Sequence, residues 1–242
     1  MASPFFRFKQ FAVWHDRCAM KVGTDGVLLG AWCPLPENTA TLRILDVGTG
    51  SGLIALMLAQ RCATGQRCFQ TDAIDIDSSA TGQAADNFNR SPWAEHLKVA
   101  CSSLQEWNSD PYHLIVSNPP YFVDSLKNPD ENRHLARHTD TLSYADLLTN
   151  AWRLLEQDGH LAVILPADAE TDFLQLAHRI GFSQTRLTRV FSKPGKPQPI
   201  RMLVTLSKTQ KSSDEIVDNL YIEGDASPRS EQYASLTRDF YL

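Results

Sequence analysis

The sequence predicts an α/β fold: a mostly parallel sheet covered by helices on both faces, with an antiparallel pair at one edge. Three observations predict it. Short apolar runs alternate with amphipathic stretches along most of the chain, the pattern of parallel strands joined by helical crossovers. A glycine-rich turn links one such run directly to a helix-forming stretch. Segments 182–192 and 199–207 then follow one another across Pro194-Gly195-Lys196-Pro197, too little chain for a crossover, so they should pair antiparallel. The 242 residues, 43% of them hydrophobic, suffice for one core. No linker, repeat or low-complexity tract divides them, so a single domain is expected: an N-terminal segment 1–41, a core 42–208 and an extension 209–242.

Taking the elements in order, a helix from Val27 to Trp32 follows Gly23-Thr24-Asp25-Gly26, for which the alternative to a ligand-contacting role is a plain turn with Asp25 as the helix cap. Residues 42–47, Leu-Arg-Ile-Leu-Asp-Val, form a short buried strand, and the helix near 52–62 begins after Gly48-Thr49-Gly50-Ser51-Gly52. Glycines at such a turn bring backbone close to a ligand at positive φ, while the first amides of the helix stay available to bind it. The spacing is Gly-x-Gly-x-Gly; Leu53 occupies the third small-residue position of the dinucleotide fingerprint, which disfavours a pyrophosphate ligand. The strand near 71–76 carries Asp75 and Asp77 where doubly wound sheets hold a ribose by its hydroxyls. Asp75 is the better choice, with Asp77 as the alternative and as a cap for the helix near 78–90. A strand at 97–101 leads to Ser102-Ser103, and one near 113–117 leads to Asn118-Pro119-Pro120-Tyr121. Helices near 143–157 and 168–180 flank a strand near 160–165. Ligands of open sheets sit beyond the carboxyl ends of the strands, so the glycine turn, Asp75, Ser102-Ser103 and Asn118 should surround one crevice.

Asn118-Pro119-Pro120-Tyr121 carries the chemistry. The Asn118 side-chain oxygen accepts hydrogen bonds, the rigid Pro-Pro pair aims the Pro119 carbonyl the same way, and Tyr121 offers a stacking face. Two acceptors converging on a planar –NH₂ draw its lone pair out of conjugation and toward an electrophile. The competing reading is a plain strand-ending turn, for which Asn and Pro are ordinary residues.

Together, Asp46-Val47-Gly48-Thr49-Gly50-Ser51-Gly52, Asp75 and Asn118-Pro119-Pro120-Tyr121 resemble the amino-group branch of the class I S-adenosylmethionine methyltransferases. A narrower likeness spans nearly the whole chain. Phe8-Lys9-Gln10-Phe11, the run from His15 to Gly26 and the ending Leu236-Thr237-Arg238-Asp239-Phe240-Tyr241-Leu242 resemble the bacterial tRNA valine adenine-N6-methyltransferases. The resemblance implies a Rossmann-like class I methyltransferase fold with a seven-stranded sheet. It also implies methyl transfer to the adenosine directly 3′ of the anticodon, with Asn118, Pro119, Pro120 and Tyr121 as catalytic residues. S-adenosylmethionine would be held by Asp46, Gly48, Gly50, Gly52, Asp75 and Asn118, with Lys21, Gly23, Thr24 and Asp25 at its methionine end. Ser103 falls where relatives often place an acid against the adenine amino group. Two other functions stay open: glutamine methylation of a release factor, against which stands the absence of a helical domain ahead of the glycine turn, and a non-catalytic S-adenosylmethionine-dependent RNA-binding module.

Charge bears on the nucleic-acid expectation, since 23 Lys and Arg face 28 Asp and Glu. Residues 212–242 hold seven acids against two bases, a balance of −5 that equals the net charge of the whole chain. The rest is neutral overall, and residues 183–208 carry six bases and no acid. The expected phosphate contacts are Arg133, Arg137 and His138 in the long loop after Tyr121, with Lys193, Lys196 and Arg201 near the final strand pair; a merely solvated face is the ordinary alternative. Five cysteines without a Cys-x-x-Cys pair suggest free thiols, no metal site and a cytoplasmic protein. Neither a secretory leader nor a membrane span is expected, nor an obligatory protein partner.

Overall fold

The computed structural model describes residues 3–18, 20–37, 39–120, 142–209 and 215–242. A small antiparallel hairpin, β1 (Phe5–Arg7) and β2 (Ala12–Trp14), precedes α1 (Thr24–Trp32). The alternating part then runs β3 (Leu42–Val47), α2 (Leu53–Thr64), β4 (Phe69–Asp75), α3 (Ser78–Asn89), β5 (Leu97–Cys101) and β6 (Tyr112–Ser117). It continues through α4 (Tyr144–Leu154), β7 (Leu155–Pro166), α5 (Glu170–Ile180), β8 (Ser183–Phe191) and β9 (Arg201–Ser207), and ends with β10 (Ile216–Tyr221) and α6 (Glu231–Thr237).

The main sheet has the order β10-β8-β9-β7-β6-β3-β4-β5. The class is the expected one, but the strand count among the described residues is eight rather than seven. β10, from the acidic extension, pairs parallel with β8 and displaces the antiparallel β8–β9 pair from the edge. Its attachment is electrostatic as well as backbone-borne: Arg186 pairs with Asp218 at 2.9 Å across the two strands. The helix expected to reach 157 ends at Leu154, because Leu155 is already extended and pairs with Tyr112 of β6.

Alternation of side chains on the strands fills both faces. Leu42 and Ile44 of β3 join a core with α1, α2 and Phe88 of α3, while Leu45 and Val47 join Leu147, Leu148 and Phe173 from α4 and α5. Each fully buried aliphatic side chain contributes ~1.5–3 kcal/mol, so these two layers dominate the folding energy. The two chain ends meet. Lys9 N donates to Phe240 O at 2.8 Å, Gln60 Nε2 donates to Asp239 O at 2.8 Å, and Phe8 stacks on Tyr241 with centroids 6.0 Å apart. The Phe8–Phe11 stretch and the closing residues thus form one clasp across α2, which gives the C-terminal ending a structural task.

Candidate active site

The glycine turn is pinned where β3 ends: Gly48 N and Thr49 N both donate to Ile74 O of β4, at 2.9 and 3.0 Å. Gly48 and Gly50 have φ of 69° and 54°, and a Cβ on either would meet nothing within 4 Å. Their bare backbone therefore faces an open cleft. Gly52, read in the sequence as a ligand contact, serves packing instead: a Cβ there would lie 2.5 Å from Phe88 Cε1. Asp46 is likewise behind the turn rather than in the cleft wall. Fully buried, its Oδ2 accepts from Thr49 Oγ1 at 2.7 Å and Ala55 N at 3.2 Å, tying the turn to the start of α2, while Oδ1 has no hydrogen-bond partner. That burial pushes its carboxyl up to about 7.

The cleft encloses about 600 Å³. Asp75 and Asp77 both border it and differ in what they bond. Asp77 caps α3, accepting from Ser79 N at 2.7 Å. Asp75 accepts from Gly50 N through Oδ2 at 2.9 Å and from Asp77 N through Oδ1 at 3.0 Å. A carboxylate has about four acceptor positions, so Asp75 keeps capacity for hydroxyl donors. Ser103 lines the cleft beyond β5, its Oγ bonded to Glu106 Oε2 at 3.0 Å. Beside the glycine turn, where Ser117 of β6 pairs with Val47 of β3, Asn118, Pro119 and Pro120 join the same wall, their approach fixed by Ser117 Oγ donating to Val47 O at 2.9 Å.

The N-terminal segment supplies the remaining wall with Cys18, Lys21, Gly23, Thr24 and Asp25. Asp25 does not cap α1; Gly23 holds the cap position without a side-chain bond, and the Asp25 carboxylate pairs with Arg201 Nε at 2.8 Å. This wall is fastened by residues that sequence reading missed. Asn87 accepts from Trp14 N at 3.0 Å and donates to Trp14 O and Ser51 O, both at 2.8 Å, joining β2 to the glycine turn through one buried amide. His15 accepts from Val22 N at Nδ1 and donates from Nε2 to Ser3 O, and Arg17 pairs with Asp86 of α3. The available signal for Asn87 was an amide on the buried face of α3, beside Ala80, Ala84 and Phe88. Among the described residues, no group of three His, Cys, Asp or Glu is arranged to hold a metal ion.

Comparison with known proteins identifies the family. The Methyltransferase small domain family model matches residues 33–186. A Bacteroides fragilis protein named tRNA1(Val) (adenine(37)-N6)-methyltransferase is 48% identical over 246 residues, covering 100% of this chain and 99% of its own. One of the same name from Parabacteroides distasonis is 48% identical over 245 residues, with coverage of 100% and 99%. The chain belongs to the tRNA1(Val) (adenine(37)-N6)-methyltransferase family. In fold it is similar to the crystal structure of a predicted O-methyltransferase from Agrobacterium tumefaciens, with a TM-score of 0.66 and 17% identity over 89% of this chain and 96% of that one.

In this member of the tRNA1(Val) (adenine(37)-N6)-methyltransferase family, the residues expected to meet RNA separate into three groups. Tyr121, Arg133, Arg137 and His138 lie outside the described residues. Lys193 and Lys196 are exposed on the β8–β9 turn. That turn lies at the cleft end of the sheet, because Arg201 at the start of β9 pairs with Pro166 at the carboxyl end of β7. Arg201 itself borders the cleft, beside Asp25. The remaining bases of the acid-free stretch are used internally: Arg186 on Asp218, Arg189 on Glu170 at 2.9 Å, and Lys208 Nζ on Leu155 O at 2.6 Å. The acids they need come from distant parts of the chain.

Proposed function

We propose that this chain transfers a methyl group from S-adenosylmethionine to the exocyclic N6 amino group of the adenosine at position 37, directly 3′ of the anticodon, in a valine tRNA. Membership of the family supports the reading. The observation that carries it is the convergence of Asn118-Pro119-Pro120 and the Gly48–Gly50 backbone on one cleft of about 600 Å³. The residues present fit the methyl donor. Side-chain-free backbone at Gly48 and Gly50 leaves room for its amino-acid end, Asp75 suits its ribose, and apolar Ile74, Ile76 and Leu104 beside Ser103 suit its adenine. Lys21, Gly23, Thr24 and Asp25 offer charged and polar partners to the carboxylate and ammonium. Gly52 and Asp46 shape the turn from behind.

When bound, S-adenosylmethionine supplies a methyl group on a positively charged sulfur. The protein's part is positioning. The Asn118 side-chain oxygen and the Pro119 carbonyl accept hydrogen bonds from the target amino group, hold it in line with the methyl, and stabilise the positive charge that develops on nitrogen. Pro120 stiffens that carbonyl, and Tyr121 stacks on the outturned base. The amine proton leaves afterwards to water, so no strong base is required. Lys193, Lys196, Arg133, Arg137 and His138 are the phosphate contacts.

We read the chain as one domain, since the apolar clusters run without a break along both faces of a single sheet. A cytoplasmic location accords with five free cysteines and with no described helix long and apolar enough to cross a membrane. The test is incubation of the protein and labelled S-adenosylmethionine with total tRNA or with release factor. Label in valine tRNA, recovered as N6-methyladenosine, is expected. Label in release factor alone would overturn the RNA assignment, and binding of donor without any transfer would leave only a non-catalytic module.

A further inference from the structure

We infer that Arg201 is a positioning residue of the cofactor site, holding Asp25 against the amino-acid end of the methyl donor, rather than an anchor for RNA phosphate. Two of its donors are committed within the protein: Nε to Asp25 Oδ2 at 2.8 Å and Nη1 to Ile200 O at 2.8 Å. The guanidinium is thereby stretched between its own strand and the first turn of α1. At 29% side-chain exposure, against 22% for Asp25, the pair is largely withdrawn from solvent, whereas Lys193 and Lys196 stand exposed on the adjoining turn. A cation meant to track a phosphate backbone keeps its donors outward. One whose Nε is given to a partly buried carboxylate orients that carboxylate.

The placement says which ligand gains. Arg201 and Asp25 border the same cleft as Lys21, Gly48 and Gly50. Asp25 lies in the first turn of α1, two residues after the cap position held by Gly23. The tie to Arg201 spans 176 positions of sequence and joins α1 to the start of β9. Without it, the Asp25 carboxylate loses its tie to the start of β9 and the cleft loses a preorganised acceptor for an ammonium group. This inference rests on the reading that the cleft binds S-adenosylmethionine.

The test compares wild type, Arg201→Gln, Arg201→Lys, Asp25→Asn and the Arg201→Gln/Asp25→Asn double variant. S-adenosylmethionine affinity is measured by calorimetry, with steady-state constants for both substrates and the salt dependence of tRNA binding. Arg201→Gln should weaken S-adenosylmethionine binding and raise its KM by about tenfold, the scale of a lost charge-assisted hydrogen bond. Its kcat at saturating donor should stay within about twofold, and Arg201→Lys should recover part of the loss. The double variant should bind the donor no more weakly than Asp25→Asn alone, because one residue acts through the other. Additive losses, or donor affinity unchanged while the tRNA salt slope falls by about one, would overturn the inference and return Arg201 to the phosphate contacts. Wild-type protein that fails to bind S-adenosylmethionine is a separate failure, and sinks the cofactor reading itself.

Discussion

Alanine at Gly52 and alanine at Gly50 should damage different properties, although both glycines belong to the same turn. Gly52 has φ of 81°, and an added Cβ would sit 2.5 Å from Phe88 Cε1 and 3.0 Å from Phe88 Cζ. Left-handed backbone costs an alanine ~1–2 kcal/mol, and overpacking against a ring only 2% exposed adds ~1–3 kcal/mol. For a chain of this size ~1 kcal/mol corresponds to about 2–4 °C in Tm, so Gly52→Ala should melt on the order of 10 °C below wild type. Gly50 has φ of 54° but open space around its Cβ direction. Gly50→Ala should therefore lose only the backbone contribution, ~1–2 kcal/mol, while its methyl intrudes on the cleft and weakens S-adenosylmethionine binding by about tenfold or more. Differential scanning calorimetry and titration of the donor into both variants separate the effects. A Gly52→Ala protein melting within about 2 °C of wild type, or a Gly50→Ala protein binding the donor normally, would refute the division between packing and ligand-facing glycines.

Other consequences can be measured separately. Asp46 holds its proton more tightly folded, at about 7, than in the unfolded chain near 3.8, so its contribution makes stability fall as pH rises between those values, by about 4 kcal/mol in all. Asp46→Asn should flatten that stretch of the urea-midpoint profile, and an unchanged slope would contradict the assignment. Asn87→Leu leaves the Trp14 N–H, Trp14 carbonyl and Ser51 carbonyl without their partner, and should cost ~2–4 kcal/mol in urea unfolding and raise the donor KM; a neutral result would mean the β2 clasp is dispensable. Lys193→Ala with Lys196→Ala should lower the salt slope of tRNA binding by about one to two without altering donor affinity.

Much of the site was legible because it is local. The run from Leu42 to Gly52, the carboxylates at the end of β4 and the Asn118-Pro119-Pro120 stretch each declare themselves within a few residues. The sheet's topology then brings them together at the carboxyl ends of β3, β4 and β6. What escaped is non-local. β10 gives little strand signal, being mostly exposed, and its place beside β8 depends partly on Arg186 meeting Asp218. The basic stretch looked like an RNA face because the acids that neutralise Arg186, Arg189 and Arg201 are Asp218, Glu170 and Asp25, drawn from three other elements. Gly52 and Gly50 look alike in a motif, yet only the position of Phe88 shows that one packs and the other borders the cleft. Helix α4 stopped early because pairing of Leu155 with Tyr112 outweighed a helical pattern that ran on through the sequence.

The most direct test of the central claim is the reaction of wild type and Asn118→Ala with valine tRNA and labelled S-adenosylmethionine, read by nuclease digestion and mass spectrometry beside donor-binding calorimetry. Wild type should yield N6-methyladenosine at position 37, and Asn118→Ala should bind the donor within a few-fold of wild type while losing about 10²–10³ in turnover. Normal turnover by Asn118→Ala, or methyl groups appearing on any atom other than the adenine amino nitrogen, would contradict the account.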